Sequence, residues 1–171
     1  MTVIYENSFN WNEWFVIISL VGSSILIWST PKIFPLLEGI AYYIFGIAYG
    51  MFYDHTISTK PWDFYDVNDN SSYQIIDFFS YVMYGAYSYF FLYLYEKLKI
   101  KGIWHLYYVL IWSCFSLLME WIGLKIGLFH FDKGYKMYWS FPIYIIAQSM
   151  LIIFYQIVKS KSLNSKIKEN I

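Results

Sequence analysis

Carboxylates and histidines stand at the ends of apolar segments in this chain of 171 residues. Glu120 closes one apolar segment and Asp77 opens another, while His55 and His130 lie in the polar stretches that flank them. A carboxylate in or beside hydrocarbon is costly unless it meets water, a partner or a ligand. One hypothesis is therefore that these four side chains meet in a pocket that holds a proton or a divalent cation. Carboxylate and imidazole together favour zinc or manganese over calcium.

A second interpretation of Glu120 needs no ligand. Its carboxylate then pairs with Lys125 or Lys133, or accepts a hydrogen bond from a tyrosine. No HExxH, CxxC or paired-histidine spacing is present, so the sequence assigns neither a metal ligand nor a cofactor. No serine or cysteine lies in a GxSxG-like elbow near a histidine, and we identify no catalytic residue.

Tyr81 belongs to a polar stripe on the segment that Asp77 opens. Asp77, Tyr81, Tyr84 and Ser88 recur at steps of four, three and four residues, which places them on one face of a helix. Such a face is expected to turn toward other helices and away from lipid. We interpret it as an interhelical hydrogen-bond seam, and the alternative is a path for a substrate.

The composition indicates a membrane protein. Hydrophobic residues make up 58% of the chain and charged residues only 14%, whereas a soluble domain carries roughly 25% charged residues. The basic residues are all lysine. Without arginine the chain has no bidentate clamp for phosphate, and no basic stripe indicates nucleic acid as a partner.

Five apolar segments are long enough to cross, or nearly cross, a hydrocarbon core of ~30 Å. They predict an all-α fold, an integral membrane bundle of about five transmembrane helices in a single domain. The predicted spans cover residues 14–29, 33–53, 75–95, 103–123 and 139–158, followed by a free basic tail at 159–171. In the second span, Gly46 and Gly50 form a small-xxx-small step, which predicts the close approach of another helix.

The lysines predict which way the bundle faces. Five crossings put the termini on opposite sides, and the positive-inside rule places the lysine-rich side in the cytoplasm. With the C-terminus inside, the cytoplasmic lysines are Lys32, Lys97, Lys99, Lys101, Lys159, Lys161, Lys166 and Lys168, and the external ones are Lys60, Lys125, Lys133 and Lys136. We therefore expect a plasma-membrane protein with an external N-terminus and with Asp77 and Glu120 at the outer boundary.

One pattern covers roughly the C-terminal two thirds of the chain. It consists of a Glu-Trp pair that closes a span, an LKxGL continuation, a Gly-aromatic turn and a Trp-Ser pair that opens the last span. Its residues are Glu120, Trp121, Leu124, Lys125, Gly127, Leu128, Gly134, Tyr135, Trp139 and Ser140. The chain thereby resembles a family of small, uncharacterised multi-pass membrane proteins of low-GC endospore-forming bacteria. The resemblance implies an all-helical integral membrane fold, and it implies no activity.

Three classes of function remain open. We expect a non-enzymatic envelope, sensing or interaction component that lies in the lipid bilayer and associates with itself or with another membrane protein. The alternative is a small carrier or binding site for protons, cations or a small solute that uses the outer-face carboxylates. The third class is a membrane enzyme acting on a lipid, for which Asp63, Asp66 and Asp69 supply acids. The lack of arginine and the external position of that loop count against this class.

Overall fold

Five α-helices and a small two-stranded sheet form the described part of the chain. The computed structural model describes residues 3–6 and 8–169, with side chains as far as Ser162. The helices are α1 (Trp11–Ser29), α2 (Leu36–Asp54), α3 (Ile75–Lys97), α4 (Trp104–Lys125) and α5 (Ser140–Glu169). The strands are β1 (Tyr65–Val67) and β2 (Phe129–Phe131), and a 3-10 turn at Met137–Trp139 precedes α5. The predicted all-α bundle of about five helices is confirmed.

Four helical segments are long and apolar enough to cross a membrane, namely Trp11–Ser29, Leu36–Asp54, Trp104–Lys125 and Met137–Ser162. This finding agrees with the membrane protein that the composition predicts. The segment α3 is absent from this set, and its six tyrosines make it less apolar than the others. It is nevertheless the most enclosed of the first four helices, with eleven buried residues against two in α1 and two in α2. Neighbouring helices therefore cover a surface that would be too polar for lipid.

The N-terminal segment and the loops α2–α3 and α4–α5 meet at one end of the bundle, which we call the cap end. There β1 pairs antiparallel with β2, and the backbone N–H of Tyr5 donates to the carbonyl of Asp69 at 2.8 Å. Asn12 is fully buried, and its Nδ2 donates to Asp69 Oδ1 at 2.6 Å and to the carbonyl of Gly127 at 3.4 Å. The first turn of α1 is thus fixed to both loops.

The opposite end of the bundle, which we call the lysine end, holds the links at residues 30–35 and 98–103 and the later part of α5. Lys159 Nζ lies 2.6 Å from Glu96 Oε1, and the Tyr155 hydroxyl donates to the same carboxylate. From Asp77 at the cap end to Glu96 is roughly 28 Å at the helical rise of ~1.5 Å per residue. Hence α3 also runs the full length of the bundle, like the four helices that can span a membrane.

The last helix extends further than the sequence predicts. The sequence places the end of the fifth span near residue 158 and leaves the following basic tail free, whereas α5 continues to Glu169. Lysine, serine and leucine allow helix to continue once it has begun, because propagation costs much less than nucleation. The pairing of Lys159 with Glu96 further holds the start of this extension against α3.

The close-packed core lies toward the lysine end. Tyr42, Phe91 and Leu92 have no exposed surface, and the Tyr108 hydroxyl donates to the carbonyl of Phe91 at 2.6 Å. Phe34 packs edge-on against the ring of Tyr42. Toward the cap end the helices do not fill the space between them, and a cavity remains.

The closest helix pair is α2 with α3, and glycines permit it. A Cβ atom added at Gly46 would lie 2.4 Å from the backbone oxygen of Tyr84, and one added at Gly50 would lie 2.3 Å from the Tyr84 ring. From the other side, a Cβ at Gly85 would lie 2.4 Å from the ring of Tyr43. These distances confirm the close approach that the small-xxx-small step predicts.

Replacing Gly46 with alanine is expected to destabilise the bundle. The new methyl group must displace backbone of α3, and overpacking of this kind costs about 1 to 3 kcal/mol. Gly22→Ala is the matched control, because nothing lies within 4 Å of a Cβ added there. Thermal unfolding in detergent, followed by circular dichroism, compares the two variants. A melting temperature for Gly46→Ala equal to that of the control would contradict the close packing of α2 on α3.

Candidate functional site

A cavity of about 600 Å³ lies between the helices. All five helices line it, and the sheet closes its cap end with Tyr65 from β1 and with Phe129 and Phe131 from β2. Sites for small-molecule ligands typically have volumes of roughly 300 to 1,000 Å³. The space is therefore of the right size for a small organic molecule.

Glu120 lies in the wall of the cavity, where α4 approaches the start of α5. It is 5% exposed, and both carboxylate oxygens accept hydrogen bonds from hydroxyl groups. Ser140 Oγ donates to Oε1 at 2.6 Å, and the Tyr144 hydroxyl donates to Oε2 at 3.1 Å. The Tyr135 hydroxyl lies 2.9 Å from Ser140 Oγ and extends this network. Hydroxyl groups alone therefore hold the carboxylate in place.

Of the partners that the sequence offers Glu120, the structure selects the tyrosine. Lys125 lies over the ring of Trp121, with Nζ 6.0 Å from the ring centroid. Lys133 Nζ lies 3.0 Å from Asp63 Oδ2 on the surface of the cap. Glu120 consequently lines the cavity with neither of these two lysines beside it.

A second carboxylate, Asp54, lines the same cavity from the last turn of α2. The Tyr65 hydroxyl donates to Asp54 Oδ1 at 2.7 Å, and Tyr81 lies within electrostatic range of the same carboxylate. Burial, followed by the negative charge of Asp54, raises the pKa of Tyr65. The Tyr65 hydroxyl therefore keeps its proton and remains a donor throughout the physiological pH range.

Two tyrosines connect the surroundings of the two carboxylates. Tyr84 lies within electrostatic range of both Asp54 and Glu120. Tyr144, which donates to Glu120, lies within electrostatic range of Tyr84. Asp54 on α2 and Glu120 on α4 thus line one cavity from different walls.

A second polar network lies deeper in the cavity. Ser113 Oγ donates to Gln148 Oε1 at 3.0 Å, and Gln148 Nε2 donates to Ser116 Oγ at 3.2 Å and to the Tyr87 hydroxyl at 3.1 Å. Tyr87 and Ser116 are themselves 2.6 Å apart. Polar side chains of α4 and α5 therefore face each other, and α3 contributes Tyr87 to the same network.

The side chains of ordinary charged type that line the cavity are acidic. Among the described residues that line it, two are carboxylates and none is lysine or histidine. Aromatic rings surround the rest of the space, including Tyr49, Tyr53, Phe90, Trp112 and Phe129. Clefts lined by one sign of charge concentrate ligands of the opposite sign, and the faces of aromatic rings attract cations. The arrangement is suited to a positively charged organic molecule.

The residues that the sequence singles out have separate partners. Asp77 begins α3 and accepts hydrogen bonds from Asn68 Nδ2 at 2.5 Å and from the backbone N–H of Gln74 at 2.6 Å, which is the geometry of a capping box. His55 ends α2, with Nδ1 2.8 Å from the carbonyl of Met51. The rings of His55 and Tyr81 are 6.3 Å apart. His55, Tyr81 and Asp77 therefore lie near Asp54.

His130 lies at the cap end of the bundle. Its ring stacks on that of Tyr5 with a centroid distance of 3.8 Å, and the Tyr5 hydroxyl donates to Asp66 at 2.6 Å. Burial, together with this carboxylate, raises the pKa of Tyr5. In the part of the chain that the structure describes, no group of three or more His, Cys, Asp and Glu side chains could hold a metal ion.

Sequence reasoning missed Asp54, because the acidic stretch that follows it reads as an aqueous loop. One signal was available: Gly46, Gly50 and Asp54 recur at steps of four residues, and this is the face that α2 turns toward α3. Tyr65 and Ser140 carried no comparable signal. They reach the site only because the segments at the cap end pack over it.

Comparisons with protein-family models, with curated proteins and with solved structures found no match to this chain.

Proposed function

We propose that the chain is a non-enzymatic membrane protein whose cavity binds a small organic cation. The observation that carries this proposal is the pair Asp54 and Glu120 in a cavity that no described lysine or histidine lines. Burying two carboxylates is costly unless positive charge or hydrogen-bond donors compensate them. Hydroxyl groups supply part of that compensation, and a bound cation would supply the rest.

The chemistry of the lining favours an organic cation over a bare metal ion. A divalent metal in protein needs several carboxylate, imidazole or thiolate ligands at short distance, and the described residues hold no such group. Tyrosine hydroxyls accept hydrogen bonds from an ammonium group, and the ring faces attract either an ammonium or a quaternary ammonium. A volume of about 600 Å³ also accommodates a carbon skeleton.

The histidines support a binding role over a catalytic one. His55 and His105 each contact a backbone carbonyl, and His130 stacks on Tyr5. No described histidine lines the cavity, so none is placed to act there as a general base. Binding without chemistry is what a sensing component or a small carrier requires.

We further propose that the protein crosses a bacterial plasma membrane five times, with the cap outside and the lysine end in the cytoplasm. The positive-inside rule supports this orientation. The arrangement of α3, which runs lengthwise among the four helices that are long and apolar enough to span, supports the fifth crossing. The resemblance of the Glu-Trp, LKxGL, Gly-aromatic and Trp-Ser pattern to small membrane proteins of endospore-forming bacteria supports the same compartment. In this orientation the carboxylates lie near the outer face.

Calorimetry on the purified protein in lipid nanodiscs tests the binding proposal. The probes are choline and butylamine, and the neutral controls are 3,3-dimethylbutanol, which has the shape of choline without its charge, and butanol. We expect saturable binding of one or both cations and none of the neutral molecules. Equal binding of charged and neutral probes, or no binding of either cation to folded protein, would refute the proposal.

A further inference from the structure

We infer that the cavity opens sideways to the lipid between α1 and α4, and that its ligand is an amphiphile with a cationic head and one apolar chain. This inference rests on the proposed function, because it assigns the head of the ligand to the two carboxylates. It adds the class of the ligand and the route by which the ligand enters.

The packing of the helices leaves the opening. The backbone of α1 packs on α3, and that of α4 packs on α5, whereas α1 and α4 make no extensive contact with each other. Both nevertheless line the cavity along much of their length. Large side chains bridge α3 and α4 nearer the lysine end, where Phe91 and Trp112 lie 5.5 Å apart. The gap therefore lies on the side of the cavity where α1 faces α4.

Exposure of the lining residues identifies the same side. Ile18 and Leu26 of α1 line the cavity and yet are 62% and 54% exposed, and Phe115 of α4 is 39% exposed. A side chain that lines a closed cavity has little contact with the exterior. These three side chains therefore stand at a mouth, where the cavity meets the surface of the bundle.

The mouth faces hydrocarbon if the two helices span the bilayer. Both α1 and α4 are long and apolar enough to do so. Apart from Ser19 and Ser23, the large side chains that line this side of the cavity are apolar, namely Phe15, Ile18 and Leu26 of α1 and Phe115 and Met119 of α4. An alkyl chain leaving the bilayer through such a mouth would exchange one apolar environment for another at little cost. A small ion hydrated by water would not take this route.

The charge of the site selects the head of the amphiphile. Phosphate oxygens of a phospholipid would find no positive side chain among the described residues that line the cavity, and they would lie beside two carboxylates. Like charges at short distance in a poorly hydrated site repel strongly. The head is therefore an amine or quaternary ammonium without phosphate. Deeper in the cavity, the side-chain amide of Gln148 and the hydroxyls of Ser116 and Tyr87 are already hydrogen-bonded to one another.

Gly22 provides a way to plug the mouth. It lines the cavity on α1, and nothing lies within 4 Å of a Cβ added there. A phenylalanine at this position can occupy the mouth without disturbing the helix. Val21→Phe is the matched control, because Val21 is 54% exposed and does not line the cavity among the described residues. Both variants add one aromatic ring to the same turn of α1.

The experiment uses dodecyltrimethylammonium that carries a diazirine in its chain, photolysed with the protein in nanodiscs. We expect labels on the α1 and α4 residues of the mouth, and a loss of at least about tenfold in Gly22→Phe, the loss that a 1.4 kcal/mol change in binding produces. Val21→Phe is expected to keep both the labelling and the choline binding of the wild type. A phosphatidylethanolamine with the same diazirine is expected not to label the mouth.

Several outcomes would overturn the inference. Labels spread evenly over the lipid-facing surface, or undiminished labelling of the mouth in Gly22→Phe, would exclude the sideways entry. Equal labelling of the mouth by the phospholipid probe would exclude the assigned head group. If both small cations bind while the mouth remains unlabelled, the proposed function stands and the inference fails. If neither cation binds to folded wild-type protein, the proposed function itself fails.

Discussion

The variant Asp54→Asn/Glu120→Gln is expected to lose choline binding in nanodiscs by about 100-fold or more, since removing one partner of a buried charge pair costs roughly 2 to 5 kcal/mol. Both substitutions preserve the shape of the side chain and keep one oxygen that accepts from a surrounding hydroxyl, while an amide NH2 replaces the other oxygen. They remove the negative charge that compensates the ligand. Each single variant is expected to lose less than the double variant, because the other carboxylate still faces the same space.

Asp132→Asn is the matched control for this loss. Asp132 is exposed on the cap and accepts from the backbone N–H of Lys133. Its removal changes the net charge of the chain by the same amount as one cavity substitution, without touching the cavity. We expect its choline affinity to match that of the wild type. Undiminished binding in a folded double variant would show that the cation binds elsewhere.

The second large effect concerns the cap. Asn12→Asp is expected to lower the free energy of unfolding by about 3 kcal/mol, because it places a carboxylate against Asp69 in a buried site. Asn12 Nδ2 now donates to Asp69 Oδ1 at 2.6 Å, and an aspartate has no proton to donate at neutral pH. Protonation of either carboxylate restores a donor and removes the repulsion. The loss of unfolding free energy in Asn12→Asp therefore becomes smaller as the pH falls.

Thermal unfolding at neutral and at mildly acidic pH measures the loss of stability in Asn12→Asp, and limited proteolysis reports the release of the N-terminal segment. Asn10→Asp is the matched control, since Asn10 caps α1 by accepting from the backbone N–H of Asn12 and aspartate caps helices equally well. A melting temperature for Asn12→Asp equal to that of the control at neutral pH would contradict the bond between α1 and the α2–α3 loop.

This cap has a consequence for the cavity. The strands that close the cavity, with Tyr65, Phe129 and Phe131, are held by the same loops that Asn12 ties to α1. Weakening that bond is therefore expected to weaken the packing of the two strands over the cavity. Choline affinity measured for Asn12→Asp tests whether the position of the strands affects the binding site.

The amino-acid sequence by itself determined the class of fold. Hydropathy and helical periodicity are local properties, so they correctly predicted an all-α bundle of about five helices and the close approach at Gly46 and Gly50. They also marked Glu120 as a carboxylate that needs a partner, because its position at the end of an apolar segment is visible in the sequence.

Only the tertiary structure decided which residues share a site. Whether Asp54 on α2 and Glu120 on α4 face one cavity depends on how each helix is rotated about its axis and on what fills the space between them. The four-residue steps of Gly46, Gly50 and Asp54 indicate one face of α2, but no local pattern shows that this face shares a cavity with Glu120. Strands of three residues likewise carry too little periodicity to be recognised, so the cap and the place of Tyr65 in it emerged from packing alone. The same packing gave Asp77 the role of a helix cap and placed the ring of His130 against Tyr5, and both contacts join segments whose meeting no local pattern predicts.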